Sequence, residues 1–189
     1  MELVLSHNSP TNTELSTSDG RVLYSISTPN KWTGRTTKLF KYNLSNGGFN
    51  PAGGSHELAR IHWHSWRHSQ LIYDGQMIDF DSFLHTTRML SNSRAFVGPD
   101  GKSYKWTTTW RSCHLVVDEK NGATVADLKQ KNLLGTKAVL EVDAAVLHML
   151  DLVVITWIYF EKKRREDQTN QASAAASAAA ASSAAAATC

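Results

Sequence analysis

The sequence predicts a mainly β fold: about ten short strands in an antiparallel barrel or sandwich, taken as a closed antiparallel β-barrel because a hydrophobic C-terminal helix would be buried by running through its interior. Three observations carry that expectation. Short runs of alternating apolar and polar residues recur along the chain at hairpin spacing. Clusters of Gly, Asn, Asp and Pro punctuate them. Near the end, the run from Leu147 to Phe160 is apolar in every direction around a helix rather than along one stripe, so it must be enclosed by protein or by lipid.

Residues 1–20 form a polar N-terminal segment, with strands expected near Leu3-Val-Leu5 and residues 14–17. Ser18-Asp-Gly20 is a turn signal leading into a strand over 21–28, in which Val22, Tyr24 and Ile26 share one face by period two. Residues 29–34 break it, and 36–44 resume a strand. Residues 46–54 read as a loop by composition. In the strand over 57–66, Leu58, Arg60, His62 and His64 share one face, with Ala59, Ile61 and Trp63 on the other.

Asp74-Gly75 joins 70–73 to 76–80 as a hairpin. Residues 81–93 are ambiguous, with room for a helical turn. Gly98-Pro-Asp-Gly101 joins 94–97 to 102–110, and Glu119-Lys-Asn-Gly122 joins 115–118 to 123–128. Residues 138–142 are the last strand.

The apolar run is short for a bilayer: residues 147–160 span ~21 Å as a helix, where about 20 apolar residues are needed. It also contains Asp151, a costly residue at membrane depth. Enclosure by the preceding strands is therefore expected, and a closed barrel would also remove exposed strand edges. Asp143 is the expected N-cap of a helix over about 144–166. Lys162, Lys163, Arg164 and Arg165 would then lie near the negative end of its dipole. The barrel domain so defined covers 21–167. Residues 168–189, nearly all Ala, Ser, Thr, Gln and Asn, cannot bury enough surface to offset ordering and are expected as a disordered tail with transient helix.

Bulk properties bound the function only loosely. Twenty Lys+Arg against seventeen Asp+Glu give a net charge of +3, too small and too dispersed for a nucleic-acid protein. Two cysteines, Cys113 and Cys189, imply no disulfide framework. The N-terminus lacks a basic start and an apolar core of signal-peptide length, so an intracellular, cytoplasmic location is expected. Asn43-Leu-Ser45 fits the glycosylation pattern, which without secretion is chance.

Four blocks within residues 21–166 resemble a family of basidiomycete fungal proteins known as domain of unknown function 6593. They are Val22-Leu-Tyr24 through Thr28; Leu58-Ala-Arg-Ile-His-Trp63; Arg94-Ala-Phe-Val-Gly-Pro-Asp-Gly-Lys-Ser-Tyr-Lys-Trp106; and Leu150-Asp-Leu-Val-Val-Ile-Thr156 closing on Glu161-Lys-Lys-Arg-Arg165. The last two are the specific ones. That family is similar to the tubby-like and LURP-one-like barrels, relatives of the phospholipid scramblases. The resemblance implies a barrel of roughly twelve strands around a C-terminal helix. Tubby domains bind phosphoinositides, but their lipid-binding residues have no match in this chain, and fold kinship does not transfer function.

Three constellations could carry chemistry. His62, His64 and His68 are metal-ligand types, the first two on one strand face, although no carboxylate or Cys lies near them at ligand spacing. The alternative is a polar strand face. Asp151 could be a buried carboxylate poised for acid–base work, or a residue of the helix's first turns paired with a cation at the barrel mouth. In a lumen filled by a helix it would have no substrate beside it. Lys162, Lys163, Arg164 and Arg165 could meet anionic headgroups, or form a solvated helix end trimmed by Glu161, Glu166 and Asp167.

Tyr104 and Trp106, continued by Thr108 and Trp110, read as core. Thr156 is expected to bond back to a helix carbonyl. Cys113 has no nucleophile context, and no G-x-S-x-G elbow occurs.

The expected function is a non-catalytic binding or scaffolding barrel engaging anionic phospholipid or a protein partner, with no cofactor, no nucleic acid and no transmembrane span. Two rivals are a metal-dependent enzyme built on His62, His64 and His68, and a single-pass membrane protein anchored by 147–160.

Overall fold

In the computed structural model, residues 1–29, 35–43, 54–64, 68–87, 92–109, 112–129 and 137–186 are described, with side chains to residue 178. Most of the expected loops over 29–34 and 46–54, and Trp110 with them, lie outside these residues. β1 (Glu2–Leu5), β2 (Thr13–Ser16), β3 (Val22–Ser27), β4 (Arg35–Tyr42), β5 (Ser55–Trp63), β6 (Gln70–Tyr73) and β7 (Gln76–Asp79) form the first half. A single helical turn, α1 (Phe80–Phe83), follows. Then come β8 (His85–Thr86), β9 (Arg94–Val97), β10 (Ser103–Thr108), β11 (Cys113–Val117), β12 (Thr124–Lys129) and β13 (Val139–Val142). A 3₁₀ turn over Ala144–Met149 leads into α2 (Leu150–Ala186).

All pairings are antiparallel, and they make one thirteen-stranded sheet in the order β7-β6-β5-β4-β3-β2-β1-β13-β12-β11-β10-β9-β8. The sheet is a meander whose first and last strands pair, Leu3 opposite Leu140. Its two edges, β7 and β8, are therefore neighbours in sequence rather than chain ends. The ladder does not close, which differs from the closed barrel expected. The reason is local: α1 intervenes between β7 and β8, and β8 is only two residues long.

Side chains span that gap. Asp81 of α1 accepts from Arg94 Nη1 of β9 at 3.2 Å and from Ser69 N, before β6, at 3.3 Å. Arg94 Nη1 also reaches the Leu84 carbonyl at 3.2 Å. Asp79 N-caps α1, accepting from the amides of Asp81 and Ser82.

The alternation read from sequence is the burial pattern observed. Tyr24, Ile26, Ala59, Ile61, Trp63, Tyr104 and Trp106 are buried, and Leu23 turns inward beside a register shift in β2/β3. The Asp74-Gly75 hairpin has φ +50° and +71°, the two positive values a type I′ turn needs.

The helix is enclosed as expected. Residues 153–161 are no more than 2 % exposed, so every direction is covered over about two and a half turns. Its aromatic rings meet rings of the sheet and α1: Tyr159 lies 4.2 Å from Phe80 and 5.5 Å from Trp63, and Phe160 lies 5.8 Å from Trp106. Trp106 Nε1 donates to Thr156 Oγ1 at 3.0 Å, and that hydroxyl donates back to the Leu152 carbonyl at 2.8 Å. Asp143 caps the 3₁₀ turn through Ala145 N, as expected.

The helix does not stop near residue 166. It continues through the Ala/Ser-rich segment to Ala186, with residues 166–178 exposed, where the sequence reading places a tail without fixed structure. Alanine has the highest helix propensity, and a helix already nucleated by packing extends at little cost. By length and composition Ala144–Ala178 could cross a membrane, yet 61 % of its most apolar window is buried inside the fold.

Candidate functional site

The 3₁₀ turn and the first turn of α2 enter the sheet at one end, and they do not fill that end. A cleft of ≈ 830 Å³ opens between them, the ends of β3, β4, β6 and β7, and the hairpin carrying Gly98. This corrects the expectation that the helix leaves no room beside Asp151. The run is apolar all round, but Leu150, Asp151 and Leu152 at its first turn are only half buried.

The cleft walls are Leu23, Leu71, Ile78, Phe83, Leu150 and Leu152. Its polar lining includes Tyr24, Lys41, Tyr73 and Asp151. Asp151 accepts from Tyr24 Oη at 2.5 Å through Oδ1 and from Lys41 Nζ at 2.7 Å through Oδ2. Burial, then the hydrogen bond to Asp151, pushes the Tyr24 phenol far above its ordinary range. Burial likewise raises Tyr73, which also lines the cleft. Both carboxylate oxygens of Asp151 are engaged, so of its two readings the ion-paired one is observed.

Gly98 is required here by close approach: a Cβ would meet Asp100 Oδ1 at 2.7 Å, Tyr104 Cε2 at 2.8 Å and Met149 Sδ at 3.1 Å. Tyr104 Oη donates to Asp100 at 2.8 Å, and its burial followed by that bond pushes its pKa up to about 12. The rim is apolar and exposed: Val97 is 58 % and Leu147 39 % exposed.

The three histidines do not converge. His62 on β5 hydrogen-bonds Thr36 Oγ1 at 3.1 Å, and burial, then Arg60, holds its pKa below the ordinary value. His64 is exposed just past β5. His68 turns instead to α1, with Nδ1 3.2 Å from Asp79 Oδ2 and 3.9 Å from Asp81 Oδ2. Sequence spacing shows no carboxylate near the histidines; the β6–β7 hairpin folds Asp79 and Asp81 back onto His68.

The four cations sit in the middle of α2, not at a helix end, so the dipole reading is corrected. Each also has a partner. Lys162 pairs with Glu166 and lies 4.3 Å over the Trp63 ring. Lys163 lies 5.7 Å from the Tyr159 ring centroid. Arg164 forms two 2.7 Å bonds with Glu161, and Arg165 one of 2.7 Å to Glu161 and others to Asn8. Beneath them Cys113 is fully buried, and burial, then the Glu161 carboxylate, pushes its thiol well up.

No curated protein matches this sequence. An X-ray structure of a protein from Arabidopsis thaliana aligns with 14 % identity over 82 % of this chain and 87 % of that one, at a TM-score of 0.42. The model of a family of unknown function, DUF6593, matches residues 8–166, and this chain belongs to that family.

Proposed function

We propose that this chain is a non-catalytic binding module, a tubby-like barrel about α2, whose ligand is an amphipathic small molecule seated in the cleft at the mouth. The supporting observation is the cleft itself. Its ≈ 830 Å³ lies within the range of about 300–1,000 Å³ in which small-molecule sites fall. An apolar body would lie against Leu23, Leu71 and Ile78, and a polar end would meet Lys41, Asp151 and Tyr24. Because Asp151 is tied on both oxygens, these groups suit recognition better than proton transfer.

Leu147→Trp tests this reading. Leu147 is on the rim and partly exposed, so the larger ring can occupy cleft space without entering the core. Fluorescence titration of the full chain with dansyl-undecanoate should show saturable binding, weakened about tenfold by Leu147→Trp, a loss of about 1.4 kcal/mol. Absence of saturable binding to the unmodified chain would end the proposal.

The exposed apolar rim favours a second reading, in which the mouth is pressed on a membrane surface. Its mark is cosedimentation with anionic vesicles above neutral ones at low salt, reduced by Val97→Asp. The basic residues 162–165 contribute less to it than their sequence suggests, since Lys162, Arg164 and Arg165 are already ion-paired.

A further inference from the structure

We propose that His68, Asp79 and Asp81 form a binding site for a divalent first-row transition-metal ion at the junction of β7 and α1. The site is separate from the mouth cleft and does not use His62 or His64. Among the described residues these three form the one group of its kind, with the imidazole nitrogen and a carboxylate oxygen from each aspartate all within 4.8 Å of one another. Ligand atoms on a tetrahedral ion with bonds of about 2.1 Å lie about 3.4 Å apart. His68 Nδ1 is already 3.2 Å from Asp79 Oδ2 and 3.9 Å from Asp81 Oδ2, so closing on an ion needs only small side-chain movements.

The carboxylates are oriented for this by their other oxygens. Asp79 Oδ1 is held by the amides of Asp81 at 3.0 Å and Ser82 at 3.1 Å, which leaves Oδ2 to face His68. Asp81 Oδ1 accepts from Arg94 at 3.2 Å and from the Tyr159 hydroxyl, and its Oδ2 turns to the same imidazole with one long bond, 3.3 Å, from Ser69 N. Ligands fixed from behind by hydrogen bonds are the usual second layer of a metal site.

Two carboxylates meet one guanidinium here, so the corner holds an excess of negative charge that a cation offsets. His68 and Asp79 are exposed, so an ion and its waters have access. One imidazole and two carboxylates suit Zn²⁺, Mn²⁺ or Fe²⁺. The ion would tie the approach to β6 to α1, where the sheet has its only unladdered junction among the described strands.

The test uses the full chain, stripped with EDTA, re-equilibrated with zinc chloride and desalted, with metal measured by mass spectrometry and affinity by calorimetry. The expected result is one zinc per chain, a higher melting temperature with zinc, and affinity at least tenfold weaker in His68→Ala and in Asp79→Asn. Asparagine still caps α1, so the second variant removes the ligand charge while keeping the turn. His62→Ala and His64→Ala should bind zinc unchanged. No retained zinc in the unmodified chain, retention unaffected by His68→Ala, or loss with His62→Ala would each overturn the assignment.

Discussion

Glu161→Ala is expected to destabilise the fold by about 3–5 kcal/mol, the usual cost of breaking a buried ion pair from one side. Glu161 is fully buried and holds Arg164 through two 2.7 Å bonds and Arg165 through a third. Arg165 can keep its bonds to Asn8, but Arg164 is itself buried and would lose its counter-charge. A protein of ordinary stability, about 5–15 kcal/mol, loses a large share of it in that one step. The double variant Glu161→Leu/Arg164→Met should lose less than the single one, because neither charge is then left alone in a low-dielectric site. Urea denaturation followed by tryptophan fluorescence measures both. A double variant worse than the single one would show that packing volume, not charge pairing, governs this level of the core.

Trp157→Ala is the second large effect, expected at about 3–5 kcal/mol. The residue is wholly buried midway along the enclosed part of α2, and truncation removes its ring from all its neighbours at once. The surrounding strands are laddered on both sides and cannot collapse into the space, so the cavity persists. Trp157→Phe should cost far less. It keeps most of the ring and deletes Nε1, a buried donor with no partner among the described residues, and thereby removes a penalty as well as contacts. Thermal unfolding of the two variants separates the cases; equal losses would mean that Nε1 makes a bond essential to the core.

Much of this architecture was legible before any coordinates. Period-two alternation marks Tyr24, Ile26, Ala59, Ile61 and Trp63 as inward because a strand's two faces see different surroundings. Asp74-Gly75 marks a hairpin because few residue pairs tolerate two positive φ angles. The lack of any polar stripe along residues 152–160 is likewise what requires 153–160 to be covered on every side, and Leu152 lies at the half-buried entrance.

What escaped the sequence depends on relations between distant segments. Alternation says which face a residue takes, but not where a sheet of given length stops, so the break at α1 was hidden. The polar cluster of His68, Asp79 and Asp81 forms only when a hairpin reverses the chain. The mouth cleft is lined by residues of β3, β4, β6, β7 and the entrance of α2, segments far apart in the chain, which no local pattern encodes. The basic residues 162–165 misled for the opposite reason: their charge is plain in the sequence, while Glu161, Trp63 and Asn8, which engage them, come partly from elsewhere in the chain.

Hydrogen–deuterium exchange of the full chain in detergent-free buffer tests the enclosure of α2 most directly. Amides of residues 153–161 should exchange only by global unfolding, while those of 168–178, helical but exposed, exchange orders of magnitude faster through local fraying. Comparable rates in the two segments would mean that the apolar part of α2 is not held inside the sheet.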